Sequence, residues 1–478
     1  MDFEEFKEKS DSITELIENA IDEGKQIIVC CHLDADGLTA GSIIGKSIFR
    51  EGGRAVIRTI SELNQNIITN LKNQAYDFYI FVDIGMGYVE ILDKELENRW
   101  IILDHHQSSK EELEHARVLN PHAFGIDGGI EVSGAGVAYV VAKRMNSSNR
   151  DSSVLAIVGA LADRQDQGPS RSLIGVNQKI ILKDAKMHGL IKEEKDLIFY
   201  GRETRPIHEA IASTNIPFIP LLSGNPDACL AALMSSNFKL KDGEKWRTIA
   251  ELSYEEKMKL IEILIPYLTK NGAKSEVVEE LFGTIYTILK EEEGTILRDA
   301  REYGSFLNAC GRSGKPSIGI LVCLGDRNEA YYMGEKILVE YRKKITQYLQ
   351  IINSDVKRMS YQGNIVNVIG DDIIDEKMLG AVASIISSSP LFRDKIVIVR
   401  TKTKENDLKI SIRRGEKIKD LNIGMIVNRI AKDLNGTGGG HSAAAGARIS
   451  IEQYEKFIAK LVEDIKYEKD RIETTGKN

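Results

Sequence analysis

The sequence predicts an α/β protein: a parallel sheet covered by helices, then a mostly helical stretch, then a second α/β region. Three observations carry this prediction. Short, continuously apolar runs (QIIVCC, AVIRTI, YIFVD, WIILD) alternate with helix-period segments early in the chain, the pattern of a parallel sheet buried on both faces. Residues 201–330 keep the helical period, in GRETRPIHEA, SGNPDACLAALM and YEEKMKLIEIL. Strand-like runs return after 364 as NIVNVIG, KIVIVRT and LKISIRR.

Taken in order, Phe3, Phe6, Ile13, Leu16, Ile17 and Ile21 repeat at helical spacing and predict an opening amphipathic helix. QIIVCC predicts the first strand, 38–49 a helix, AVIRTI a strand and 63–71 a helix, with YIFVD and WIILD as further strands. Helices over 135–145 and 154–161 complete the unit. Glu335 opens a long charged helix, EKILVEYRKKITQYLQII, read as a connector. Helices over 378–387 and 423–433 accompany the later strands, and the polar tail 470–478 is expected to fray. No internal repeat or low-complexity segment stands out. The expected domains are 1–200, 201–330, a connector over 331–360, and 361–470.

Composition narrows the class. The chain has 478 residues, 64 Lys+Arg against 71 Asp+Glu (net −7), 42% hydrophobic and 28% charged residues, an ordinary globular balance. No stretch approaches the ~20 apolar residues of a membrane span, and MDFEEFKEKS lacks the basic and apolar regions of a signal peptide. The five cysteines form no disulfide framework or zinc spacing, so a cytoplasmic protein without a membrane partner is expected. An acidic average does not exclude a local basic cleft.

The chemistry lies in where acidic and imidazole residues fall. The first strand ends in CCHLDADGLTAG, setting His32, Asp34 and Asp36 at alternate positions. The next apolar strand ends in VDIGMG with Asp83, and the following one in LDHHQ with Asp104, His105 and His106. The helix-like VLAIVGALADRQD carries Asp163 and Asp166. Ligands of a parallel sheet gather beyond the carboxyl ends of its strands. A lone strand-end Asp is usually a helix cap, and a lone His32 is more often a satisfied hydrogen-bonding residue. Three strands delivering so many charges to one edge is a different matter, because burying them together is prohibitive without a cation. Asp166 is read as a surface or capping residue.

These motifs resemble the four signatures of the DHH phosphoesterase superfamily: HLDADG, VDIG with Asp83, DHH at Asp104, His105 and His106, and ADRQD with Asp163. GTGGGHSAAAGA, at 436–447, resembles the glycine-rich signature of the DHH-associated C-terminal domain. With LNACGRSGKPSIGI at 307–320, the chain is similar to the archaeal RecJ-like single-strand exonucleases, the GINS-associated nuclease among them. Ala162 departs from the Gly expected before the fourth-signature Asp. The resemblance implies that His32, Asp34 and Asp83 hold one metal while Asp36, Asp83, His105 and Asp163 hold another, with Asp83 shared. It also implies His106 as a catalytic contact to phosphate or leaving oxygen, with Asp104 orienting an imidazole. Mixed imidazole and carboxylate ligands suit two Mn²⁺ ions, with Mg²⁺ as the substitute.

In the C-terminal region, the glycine run lets backbone N–H groups approach a phosphate. Gly438, Gly439, Gly440 and His441 are therefore candidate substrate contacts, beside a SAAAGA stretch read as helix-friendly. Lys409, Ser411 and Arg413 share one strand face. Arg413 matches the family's Ser-x-Arg element, and Arg312 in CGRSGKP is a further contact; Asn308 is read as structural or interdomain. Asp127 and Ser133 are read as a turn and a helix cap. The expected architecture is two jaws around a cleft. The expected activity is Mn²⁺-dependent 5′→3′ degradation of single-stranded DNA, favoured over RNA, to 5′-mononucleotides in DNA replication or repair, with GINS or replicative-helicase components as partners. Three alternatives stand beside it: an RNA- or 3′-end-directed exonuclease, an oligonucleotide or cyclic-dinucleotide phosphodiesterase, and a replisome scaffold.

Overall fold

The computed structural model describes residues 3–214, 217–269, 276–418, 421–440 and 442–475. The chain divides into two compact units, Met1–Lys336 and Ile337–Asn478.

The first unit is built on strands β1 (Gln26–His32), β2 (Arg54–Ile60), β3 (Phe78–Val82), β4 (Trp100–Leu103) and β5 (Val118–Leu119). They pair in the order β2-β1-β3-β4-β5, all parallel. Every residue of β3 and β4 is buried, which is why these runs are continuously apolar; edge strand β2 alternates instead. The chain leaves β1 for β2 on one side and resumes at β3 on the other. That reversal opens a crevice at the carboxyl ends of β1 and β3, the switch point where ligands bind in open α/β sheets.

Helix α1 (Phe3–Asp22) buries Phe6, Ile13 and Ile17, the apolar stripe read from the sequence. Helix α2 (Ala35–Arg50) starts at Asp34, whose side chain accepts from the Gly37 N–H. Helix α3 (Gly134–Met145) starts at Ser133, which accepts from the Gly136 N–H, the cap expected. Helix α4 (Ser153–Ala162) packs with α2 and α3. Trp100, Tyr79 and Phe81 are fully buried in the sheet core; burying such a side chain contributes on the order of 2–3 kcal/mol.

The middle region is more than helical. Strands β6 (Ile191–Leu197) and β7 (Phe282–Ile288) form an antiparallel pair at its two ends. Between them lies a separate core including Ile207, Ile211, Leu233, Leu260 and Leu264, with helix α5 (Tyr254–Thr269) contributing. β6 escapes the sequence reading because its IKEEKDL stretch carries five consecutive charges and buries only its ends. Helices α6 (Ala300–Arg312) and α7 (Glu329–Ser354) follow, and the boundary between the units falls within α7.

In the second unit, strands β8 (Met359–Gln362), β9 (Ile365–Ile369), β10 (Ile396–Lys402), β11 (Asp407–Arg414), β12 (Thr437–Gly440) and β13 (Ala444–Ser450) form one sheet, ordered β8-β9-β10-β11-β13-β12. Helix α8 (Leu379–Ser387) covers one face, over Val366, Val368, Val397 and Val399. Helices α9 (Ile423–Asp433) and α10 (Tyr454–Thr475) cover the other, over Ile396, Ile398, Ile410 and Ile412. The period-2 alternation of β9 and β10 feeds both cores.

Two expectations are corrected here. The glycine-rich stretch is no open turn beside a helix: Thr437–Gly440 is an edge strand, and Ala444–Ser450 is the strand it pairs with. Small residues serve close packing there, since a Cβ on Gly438 would come 2.8 Å from the Ala431 Cβ. The polar tail continues α10 as far as Thr475, where fraying from 470 was expected. No helix among the described residues is long and apolar enough to cross a membrane.

Candidate metal centre

The carboxyl end of β1 and the start of α2 bring His32, Asp34 and Asp36 into the crevice. The Asp34 Oδ2 lies 3.0 Å from His32 Nδ1. Burial raises the Asp34 carboxyl, but the neighbouring His32 and Arg312 charges outweigh it and hold the group below the usual range. Asp36 is buried and points the other way, into the N-terminus of α3: Oδ2 accepts from the Gly134 N–H at 2.7 Å and Oδ1 from the Ala135 N–H at 3.0 Å. A helix N-terminus supplies both donors and a favourable dipole; burial still raises this carboxyl.

Asp83 closes β3 with a positive φ of 56°, a left-handed conformation that Asp tolerates better than most residues. Its Oδ1 sits 3.2 Å from His105 Nε2 and its Oδ2 3.9 Å from His32 Nδ1. Gly134 is required opposite it, because a Cβ there would fall 2.7 Å from the Asp83 Oδ1. That Oδ1 is buried with no hydrogen-bond partner among the described residues. Desolvation, then the Asp36 charge, push the Asp83 carboxyl well up. A buried carboxylate oxygen left unsatisfied amid other carboxylates is costly by itself. A divalent cation removes that cost, so the residues present fit one.

His105 supports the same conclusion. Its Nδ1 lies 2.6 Å from the Gly128 carbonyl; a carbonyl only accepts, so Nδ1 carries the proton and Nε2 turns to Asp83 and Asp36, 3.2 and 3.7 Å away. A second-neighbour carbonyl setting the tautomer is how a histidine presents its other nitrogen to a metal. Asp163 caps the C-terminus of α4; burial raises its carboxyl to about 6. Its neighbour Ala162, where a glycine was expected, faces Gly304 of α6: a Cβ on Gly304 would meet the Ala162 methyl at 2.9 Å.

Three ligand groups result: His32 with Asp34 and Asp83; Asp36 with His105 and Asp163; and Asp83 with Asp104, His105 and His106. In each, one atom per residue lies within 4.8 Å of the others. Asp104 and His106 stand apart from the assigned ligands in their bonding. Asp104 Oδ1 accepts from the His105 and His106 N–H groups and lies 2.7 Å from His106 Nδ1. Burial raises the Asp104 carboxyl, yet His106 and His105 outweigh it and hold it below the usual range. Asp104 thus orients His106, whose ring is 37% exposed at the crevice.

The stretch 307–320 braces the first signature. Asn308 Oδ1 accepts from the Ala35 N–H at 3.2 Å, and Gly311 leaves room for the Leu33 carbonyl. Arg312, at the end of α6, lies near enough to Asp34 to lower its carboxyl. Asp166 is not on the surface: it is buried, 2.9 Å from both Arg171 and Arg301, and fastens the fourth signature to α6. Gln165, which sequence reading passed over, is fully buried and donates to Asp163; only its place inside ADRQD hinted at a role.

The substrate candidates of the second unit lie apart in sequence and unit. Arg413 is held by its own unit: Nε donates to Ser384 Oγ at 2.9 Å and Nη1 to the Ile412 carbonyl at 2.9 Å. Gly438, Gly439 and Gly440 line edge strand β12. His441 lies outside the described residues.

The raised Asp163 carboxyl has a measurable consequence in metal-free protein. A group whose folded pKa, about 6, exceeds its unfolded value near 3.8 carries no penalty below pH ~4 and its full penalty above pH ~6. Stability in chelator should therefore fall between those limits, and Asp163→Asn should flatten the fall. Parallel melting curves of the two proteins against pH test this; identical slopes would refute it.

Three family models match the chain: the DHH family N-terminal domain over residues 26–162, the DHH-CID domain over 199–282, and the DHHA1 domain over 361–466. An uncharacterized protein of Methanocaldococcus jannaschii is 31% identical over 449 residues, 92% of this chain and 93% of that protein. Among solved structures, RecJ of Thermus thermophilus in complex with Mn²⁺ matches with a TM-score of 0.57 at 18% identity, over 95% of this chain and 54% of the longer RecJ. CDC45 of Entamoeba histolytica matches with a TM-score of 0.63 at 13% identity, over 95% and 98% of the two chains.

Proposed function

Because the chain belongs to the DHH superfamily as a RecJ-like protein, we propose that it is a two-cation phosphodiesterase that degrades single-stranded DNA from the 5′ end to 5′-mononucleotides, with Mn²⁺ preferred over Mg²⁺. The observation that carries this reading is the buried Asp83 Oδ1, which accepts no hydrogen bond among the described residues, in a side chain shared by two ligand groups. When bound there, two divalent cations supply an activated water and the positive charge that an in-line displacement at phosphorus needs.

The chain's own residues do the rest. His32, Asp34 and Asp83 form one proposed seat, and Asp36, His105 and Asp163 the other, with Asp83, 3.2 Å from His105 Nε2, proposed as shared. Gly128 fixes the His105 tautomer, and the α3 N-terminus holds Asp36 in place. His106, aligned by Asp104, donates to the phosphate or to the departing oxygen. Arg312, Arg413, Gly438, Gly439, Gly440 and His441 are the proposed phosphate contacts. DNA replication or repair is the proposed setting, with GINS or helicase components as partners.

A second reading has an observation in its favour: the fold likeness to CDC45 supports a replisome scaffold. End-labelled single-stranded DNA and RNA, labelled at each end in turn and incubated with Mn²⁺, separate the readings. Mononucleotide release from 5′-labelled DNA at the earliest times is expected. Release from the 3′ end or from RNA alone would redirect the substrate assignment, and inertness towards every substrate would favour the scaffold.

A further inference from the structure

Gln165 is fully buried, and its surroundings dictate which way its carboxamide faces. Nε2 donates to the Gly128 carbonyl at 2.8 Å, to Asp163 Oδ2 at 3.1 Å and to the Val132 carbonyl at 3.3 Å. Oε1 accepts from Asn177 Nδ2 at 2.7 Å. The opposite orientation would set an oxygen against three oxygens and an NH₂ against an NH₂, leaving buried polar groups unmade.

The Gly128 carbonyl is also the acceptor that fixes the His105 ring. One carboxamide is therefore bonded to Asp163 directly and to His105 through a shared carbonyl. Those two residues, with Asp36, make up one ligand group. They come from unrelated places, His105 after β4 and Asp163 at the end of α4, so nothing in the chain's connectivity sets their separation. Asn177 is itself placed by a short π-helical segment, Asn177–Leu182, and by donating its N–H to the Glu131 carbonyl. Single π-turns interrupt helices where a particular side chain must be redirected, often at functional sites.

We propose that Gln165, held in its orientation by Asn177, is a positioning residue for the cation bound by Asp36, His105 and Asp163; this rests on the two-cation reading above. Groups one shell out from a metal commonly change its affinity by ~10–100-fold. Gln165 differs from a general brace because it acts on one seat of the two: it touches neither His32 nor Asp34 in any bond described above.

The test is a titration of the full chain with Mn²⁺ alone, free ion being read by electron paramagnetic resonance. Wild type should bind two equivalents. Gln165→Met should weaken one of them roughly 10–100-fold and leave the other unchanged. Asn177→Asp should do the same without touching Gln165: an acceptor facing Oε1 turns the carboxamide, directing that oxygen at Asp163. This second variant also covers the case in which Gln165→Met fails to fold. If wild type binds two equivalents and the variants match it, or lose both equivalents together, the positioning role is wrong and the two-cation reading stands. If wild type itself does not bind two equivalents, both are wrong.

Discussion

Replacing Asp83 by alanine is expected to abolish hydrolysis. Two of the three ligand groups lose a member, since Asp83 Oδ1 faces His105 and Oδ2 faces His32. Several kcal/mol of charge stabilisation then disappear, roughly a thousandfold or more in rate at about 1.4 kcal/mol per factor of ten. The fold should survive. The residue contributes a crowded carboxylate whose Oδ1 has no hydrogen bond among the described residues, so its removal relieves repulsion. Against this, alanine at a φ of 56° costs about 1–2 kcal/mol. Asp83→Asn separates the two effects, because asparagine tolerates that backbone while lacking the charge. Both variants should melt cooperatively in chelator and show no Mn²⁺-dependent activity. Near-normal activity in either would sink the two-cation assignment.

The second large effect concerns substrate length. Wild type is expected to degrade a single strand of ~20 nucleotides, beyond the ~16 that one binding fold spans, much faster than a dinucleotide. The reason is that a dinucleotide carries too few phosphates to use the several contacts proposed. Truncation after Ser354, where α7 stops, should keep the proposed metal ligands, all of which lie in the first unit, and so keep Mn²⁺ binding. It should lose most activity on the long strand, together with the steep salt dependence that phosphate contacts impose. Rates on the two substrates, for the full chain and the truncation, give the answer. A full chain that cleaves the dinucleotide faster would replace strand degradation with oligonucleotide scavenging.

Residues that could be read from the sequence share a property: their message is local. The apolar runs of β1, β3 and β4 declare a buried sheet without knowledge of what covers them, because both faces of each strand must be apolar. Ser133 and Asp127 are readable because an N-cap and a turn are completed within a few residues; Asp127 Oδ1 accepts from the Gly129 N–H at 2.7 Å. His32, Asp34, Asp36, Asp83, Asp104, His105 and His106 could be singled out because strand ends on one sheet edge converge by rule, and Asp163, at the end of a helix, through its place in the ADRQD signature.

Other features needed the tertiary structure, for identifiable reasons. Asp166 looks like any polar residue after a helix, and it takes Arg171 together with Arg301, 135 positions away, to make it a buried ion-pair network. β6 carries charges throughout its middle and becomes a strand only because β7 pairs with it. The glycine-rich stretch suggests a loop, yet pairing with β13 makes it an edge strand, and its missing side chains fit the close approach of Ala431.

By itself, then, the sequence determined the parallel α/β sheet, its caps and the set of acids and imidazoles at its carboxyl edge, because each follows from periodicity or from bonds closed within a turn. The tertiary structure alone decided which oxygen stays unpaired at Asp83, which nitrogen His105 presents, and that Gln165 ties His105 to Asp163. Those depend on distances of about 3 Å between residues tens of positions apart, and hydrogen bonds are directional over that range. A residue's type says what it can donate or accept; only packing says what stands opposite.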